Sequence, residues 1–330
     1  MRNQPMKRDL LDVNDLSVDE LTRVLDLSEL SDHPTPLDGQ GAALLFEKPS
    51  ARTRTSIEMA VMQLGGHPVT LKNDEIGIDT RESAEDLARL FSGYASFIAA
   101  RVFEHSKLER LAANATIPVV NLLSDDAHPV QALADLLTMR EEFGRIEGLR
   151  VAYVGDANNV ARSLAIGASM LGASCVVSSP PGYDFSDADK ALLASTAPTL
   201  ETVENPTDAV RGADVIYTDA WYSMGQEDEA AIRRVAFTDW QVNASLMSAA
   251  GDGAVFMHCL PAHRGDEVTV EVIDGPASRV WPQAHNRMHS IRGLLLWLDE
   301  VGALPKGQRG GRTSVGQQGG LQGGQSSGLS

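Results

Sequence analysis

Short, nearly continuous apolar runs alternate with amphipathic stretches along most of the chain. GAALLF (41–46) is followed by a helical rhythm from Thr53 to Leu64, and PVTL (68–71) by one from Glu82 to Leu90. SFIAARV (96–102) precedes Lys107 to Ala113, and IPVVNLL (117–123) precedes Val130 to Phe143. The pattern restarts with LRVAYV (149–154), a helix over Val160 to Leu171, SCVVSS (174–179), DVIYTD (214–219) and GAVFMHCLP (253–261). It closes with a helix from about Asn286 to Leu298. Strands alternating with helices over this length predict parallel sheets covered on both faces. EEFGRIEGLR (141–150), charged and with two glycines, separates the two series. The expected fold class is α/β, with two doubly wound parallel-sheet domains over 1–145 and 146–285. Residues 304–330, dominated by Gly, Gln and Ser, bury too little apolar surface to order themselves and are expected to form a disordered tail.

Composition narrows the functional classes. No apolar run is long enough to cross a bilayer. The N-terminal MRNQPMKRDLLDVNDLS has no apolar stretch behind its charges, so no secretory signal is read there. Cys175 and Cys259 lie far apart without CxxC spacing, which argues against a disulfide framework or a zinc ribbon. A cytoplasmic protein without metal or cofactor is expected. The formal net charge of −17 argues against non-specific nucleic-acid binding. An anionic ligand would have to be held by local cations against this overall field.

FEKPSARTRTS (46–56) concentrates such cations where a strand gives way to a helix. In an open parallel sheet, ligands bind beyond the carboxyl ends of the strands. Ser50-Ala51-Arg52-Thr53 occupies that position at the start of the next helix. The first N–H groups of a helix lack internal partners and its dipole makes that end positive, which favours a phosphate. The hydroxyls of Ser50 and Thr53 can donate to phosphate oxygens, and Arg52 can grip them with a planar fork. The plainer alternative makes Ser50 an N-cap and the arginines a solvated first turn. Cations at a helix N-terminus oppose the dipole, which weakens that alternative.

FEKPSARTRTS resembles the carbamoyl-phosphate signature of the transcarbamoylases, F-x-K-x-S-T-R-T, departing from it at Ala51. Further stretches along the chain match the family in order and spacing. Arg101 ends a strand within SFIAARV, and His128-Pro129-Val130-Gln131 opens a helix; the resemblance implies that Arg101, His128 and Gln131 hold the carbamoyl group. VAYVGDANNVARS (151–163) has a single glycine and no dinucleotide fingerprint. Its asparagines can be helix caps; the family reading makes Asn159 a ligand for an amino acid's α-carboxylate, with Asn158 a weaker candidate. In DVIYTDAWYSMGQEDE (214–229), Asp219 at a strand end can pair with an ammonium. The string through Ser223 and Met224 resembles the substrate loop of the family's ornithine branch. HCLP (258–261) is similar to that branch's signature, with Cys259 and Leu260 lining the side-chain amine and carbamoyl region, and Arg287 in NRMHS matches an arginine on the carbamoyl oxygen. A covalent Cys-His role is disfavoured because neighbours on a strand face opposite ways.

The resemblance implies a carbamoyl-phosphate domain, an amino-acid domain, and a final helix, 286–303, that packs back on the first domain. It also implies transfer of a carbamoyl group to the δ-amine of L-ornithine, and a homotrimer or a multiple of trimers. A transcarbamoylase for another amine, such as putrescine or a modified ornithine, and a non-catalytic relative are the alternatives. One segment departs from the pattern. KNDEIG (72–77) carries Glu75 where the family offers Gln or His to a neighbouring subunit's phosphate, and Arg81 is a possible replacement.

Overall fold

The computed structural model describes residues 7–222 and 227–305. Its first part consists of α1 (Val18–Ser28), β1 (Gly41–Phe46), α2 (Ala51–Gln63), β2 (His67–Lys72), α3 (Asn73–Ile76), α4 (Ala84–Ser92), β3 (Ile98–Arg101), α5 (His105–Asn114), β4 (Val119–Leu123) and α6 (Pro129–Phe143). The second consists of β5 (Arg150–Val154), α7 (Asn159–Met170), β6 (Ser174–Ser178), α8 (Asp187–Thr196), β7 (Leu200–Val203), α9 (Pro206–Val210), β8 (Val215–Thr218), α10 (Ala230–Ala236), α11 (Ala244–Ala250), β9 (Val255–His258) and α12 (Val270–Ile273), and α13 (Val280–Glu300) closes the fold.

Two parallel sheets result, ordered β2-β1-β3-β4 and β7-β6-β5-β8-β9. In each, the chain first winds outward in one direction, then returns to the middle and winds the other way. The reversal falls between β1 and β3 in the first sheet and between β5 and β8 in the second, which opens a crevice at the strands' carboxyl ends. Alternate strand residues feed different cores. Leu44, Val120, Val151, Tyr153 and Tyr217 join α1, α6, α7 and α13 in one cluster shared by both sheets. Leu45 and Ala100 pack under α4 and α5, and Ile216 and Phe256 under α11 and α12.

The closing helix begins at Val280, six residues before the expected Asn286. Pro282 falls in its first turn, where a missing N–H has no helical acceptor to lose. Val280 and Gln283 are buried, so packing extends the helix backwards. It lies against α1, α2 and α6 and also reaches β9. The second sheet has a fifth strand, β7, and the first series is preceded by α1; neither is among the predicted elements. The expected tail 304–330 begins too early: Leu304 is buried in the shared core because it is apolar and packs there with Ala303, and residues 306–330 lie outside the described residues.

Candidate active site

The two crevices face each other across a cavity of about 480 Å³. From the first sheet's side it is lined by Ser50, Ala51, Arg52 and Thr53 after β1, Arg101 at the end of β3, and His128 and Gln131 at the start of α6. From the second come Asn159 at the start of α7, Asp219 after β8, and Cys259 and Leu260 after β9; Arg287 reaches in from α13. Ser223 and Met224 lie outside the described residues.

Each wall is built by local rules. Ser50 caps α2, its hydroxyl oxygen accepting from Thr53 N at 3.2 Å, so capping and lining the cavity are compatible roles. His128 precedes Pro129 at the first position of α6. Its backbone N–H donates to Ser163 Oγ at 2.9 Å, which ties the loop to α7. The two asparagines divide their work. Asn158 caps α7 through its side-chain oxygen and donates to Asp219 Oδ2 at 3.0 Å. Asn159 donates to Ser124 O at 2.6 Å and lines the cavity.

The first half of the site is strongly cationic. Arg101 and Arg287 are buried. Among the described residues, neither they nor Arg52 has a carboxylate within salt-bridge distance. Arg287 Nη2 donates to Thr53 Oγ1 at 2.9 Å, Arg101 Nη1 to the same oxygen at 3.4 Å, and Arg287 Nη1 to Gln131 Oε1. Among the described residues, Arg101 Nε, Arg287 Nε and His128 Nδ1 are buried without a hydrogen-bond partner. Burial, then repulsion from Arg287 and Arg52, pulls the Arg101 guanidinium down to about 10. Burial does the same for Arg287, to about 10. Burial and the Arg287 and Arg101 charges hold the His128 imidazole well below its usual range, so it is neutral at pH 7. Burying unpaired cations together costs several kcal/mol per charge. A small anion bound among them would offset that cost, and the same donors could stabilise negative charge developing on a carbonyl oxygen.

The second half is acceptor-rich. Asp219 Oδ1 accepts from Ala220 N at 2.7 Å and from Cys259 Sγ at 2.9 Å. Burial and the Asp219 carboxylate push the Cys259 thiol well above its ordinary value, so it is a neutral donor and a poor nucleophile. Ligand atoms of Asp219, His258 and Cys259 lie within 4.8 Å of one another. However, His258 Nδ1 accepts from Leu260 N at 2.8 Å and Nε2 faces Glu267 Oε1 at 3.2 Å, leaving no free imidazole nitrogen for a metal. Leu260 adopts φ of 60°, a left-handed conformation costing roughly 1–2 kcal/mol for a residue with a Cβ.

Lys48 and Tyr222 lie inside the recognised strings and His263 two residues after HCLP, and all three line the cavity without a role read from sequence; the Tyr222 and His263 rings stack at 4.7 Å. Glu75 and Arg81 do not line this cavity. Glu75 Oε2 accepts from Lys72 N at 2.8 Å, capping α3, and Arg81 donates to the carbonyls of Asp74 and Glu75 at 2.9 and 3.0 Å.

Comparison with known proteins follows the same division. Residues 8–141 match the carbamoyl-P binding domain of aspartate/ornithine carbamoyltransferase, and 147–298 match its Asp/Orn binding domain. Ornithine carbamoyltransferase from Hyperthermus butylicus is 49% identical over 301 residues, 87% of this chain and 96% of the relative. That from Haloquadratum walsbyi is 47% identical, covering 89% and 98%. The solved ornithine carbamoyltransferase of Pyrococcus furiosus superposes with a TM-score of 0.84 at 44% identity, covering 88% of this chain and 97% of that one. The Thermus thermophilus structure gives 0.81 at 43%, covering 89% and 99%.

Proposed function

The chain belongs to the aspartate/ornithine carbamoyltransferase family, and on that premise we propose that it transfers the carbamoyl group of carbamoyl phosphate to the δ-amine of L-ornithine, giving L-citrulline and phosphate. The observation that carries this reading is the cluster of Arg52, Arg101 and Arg287, without a carboxylate partner among the described residues, facing Asp219 and Cys259 across one cavity. The phosphate is held by the α2 N-terminus with Ser50, Ala51, Arg52 and Thr53. Arg101, His128 and Arg287 surround the carbamoyl oxygen, and Gln131 Oε1 accepts from the carbamoyl amide. Asn159 takes the amino acid's α-carboxylate and Asp219 its α-ammonium. Ser223 and Met224 complete that end, and Cys259 and Leu260 border the δ-amine.

The free δ-amine is mostly protonated at pH 7, so its neutral form must be selected or produced on binding. Its nitrogen lone pair forms the new C–N bond at the carbonyl carbon while charge collects on the oxygen facing Arg101, His128 and Arg287. Collapse breaks the C–O bond to phosphate, and the departing phosphate accepts the proton the amine sheds. Alignment of two bound reactants and preorganised donors supply the rate.

We propose that residues 1–145 with the closing helix make up the carbamoyl-phosphate half and that the ornithine half runs from 146 to the start of that helix, expected after residue 285 and observed at Val280. We also propose a homotrimer or a multiple of it. Exposed Met59, Met62 and Val69, beside the edge strand β2, support an interface there, with Glu75 and Arg81 on the next segment. A cytoplasmic location fits two free cysteines, and no described helix is long and apolar enough to cross a membrane.

The deciding experiment incubates the purified chain with carbamoyl phosphate and ornithine, putrescine or lysine. Citrulline and phosphate in equal amounts, with ornithine preferred by orders of magnitude in kcat/KM, are expected. No citrulline, or a better rate with putrescine, overturns the assignment. Light scattering at the trimer mass checks the assembly, and a monomer would sink it.

A further inference from the structure

Behind the cavity, a carboxylate that the mechanism above does not use joins both walls. Asp135, on α6, is fully buried. Among the described residues it has no cationic partner within salt-bridge distance. Three donors converge on it. Oδ1 accepts from Gln131 Nε2 at 2.8 Å and from Gln283 Nε2 at 2.7 Å, and Oδ2 accepts from the Tyr217 hydroxyl at 3.1 Å. The outer ends of these links reach the site. Gln131 Oε1 receives Arg287 Nη1. Gln283 Oε1 receives the backbone N–H of His258 at 2.8 Å, one residue before Cys259. The amide orientations are fixed by chemistry. Arginine and a backbone N–H can only donate, and an ionised carboxylate can only accept.

We propose that Asp135 is a positioning residue for carbamoyl transfer: its carboxylate fixes the Gln131 amide with the oxygen toward Arg287, and through Gln283 holds the strand end that presents Cys259 and Leu260. This deepens the functional reading above and rests on it. A reversed Gln131 would set its NH₂ against the Arg287 guanidinium, donor against donor. Thr53 would then be left to orient Arg287 alone. The charge state is consistent with the role. Burial raises the Asp135 carboxyl to about 6, against the bonds from Gln131, Gln283 and Tyr217 and the field of Arg287. At pH 7 to 8 it is therefore ionised and acceptor-only. The groups facing it are Gln131 on its own helix, Tyr217 on β8, Gln283 and Arg287 on α13, and the Cys259 thiol after β9.

The test begins with Asp135→Asn, which keeps the shape and supplies a donor where only acceptors stood. We expect kcat to fall about 100-fold with the ornithine KM within about threefold of wild type. Adding Gln131→Glu should restore kcat at least about tenfold, because a carboxylate at position 131 accepts both from the amide introduced at position 135 and from Arg287. A packing role alone predicts no such rescue. Tyr217→Phe, which removes one bond to the charged form, should move the acidic limb of kcat to higher pH by about half a unit or more. This variant decides the matter should Asp135→Asn fail to fold. An Asp135→Asn enzyme with wild-type kcat, a loss that Gln131→Glu leaves untouched, or an unmoved limb in Tyr217→Phe each overturns the proposal. Wild-type protein that makes no citrulline overturns the functional reading itself, and the role of Asp135 falls with it.

Discussion

At the scale of single residues, the site is a set of charges held at high cost. Arg101 and Arg287 are buried and have no carboxylate partner among the described residues, an arrangement that stability alone does not favour. Removing either donor from the carbamoyl oxygen should lower kcat by about 10²–10³, and Arg52→Ala should collapse turnover with carbamoyl phosphate; steady-state kinetics at saturating ornithine checks both. Asp219→Asn should raise the ornithine KM strongly, since Asn158, Ala220 and Cys259 all orient that carboxylate; an unchanged KM removes Asp219 from the substrate. His128 titrates well below its ordinary value near 6.5 because of burial and the two arginines. The unfolded chain thus takes up a proton near pH 6.5 that the folded chain refuses, and stability falls as pH drops below that point. The slope approaches about 1.4 kcal/mol per pH unit for one proton. Urea unfolding at pH 5 and 6.5 should show His128→Asn losing less stability across that interval than wild type. Much of this cluster was legible in sequence because each residue lies in a short string at a strand end. Asp135 was not, because its partners Tyr217 and Gln283 are 82 and 148 residues away, and no local pattern records such a meeting.

At the scale of elements, the buried strands were the easiest features to read. β1, β3, β4, β5, β8 and β9 are hidden on both faces and spell themselves as apolar runs. β7, Leu200–Val203, escaped because Glu201 and Thr202 are exposed at the sheet edge and interrupt the run. α1 was missed although its signal was present, with Ser17 and Glu20 forming a capping box ahead of Leu21, Val24 and Leu25. α1 and α13 meet at Gly293, where a Cβ would lie 2.5 Å from Val24 O and 2.7 Å from Ser28 N and would strike the Ser28 hydroxyl. Beside it, Arg292 donates to the carbonyls of Ser28 and Leu30 at 3.1 and 2.8 Å, closing the end of α1. Gly293→Ala should therefore push two helices apart and cost about 1–3 kcal/mol, despite alanine's better helix propensity. A denaturant midpoint equal to wild type would show that the helices can slide at no cost.

At the scale of the molecule, a net charge of −17 repels the dianion that the cavity must capture. Carboxylates more than about 10 Å away are screened at 0.1 M salt, whereas guanidinium groups touching the ligand are screened much less. The KM for carbamoyl phosphate should therefore fall between 10 and about 150 mM sodium acetate, and a rise would mean that the local cations dominate even at long range. The placement of α13 bears on how the protein is made. It carries both Gln283 and Arg287, and it is the last described element to be translated. A ribosome-bound chain holding every strand of both sheets still lacks the arginine that completes the site, and α1, α2 and α6 still present bare apolar faces to solvent. Such a chain is inactive and prone to aggregate, so vectorial synthesis confers catalysis in a single late step, and truncations that remove only this helix should yield insoluble protein rather than a slower enzyme.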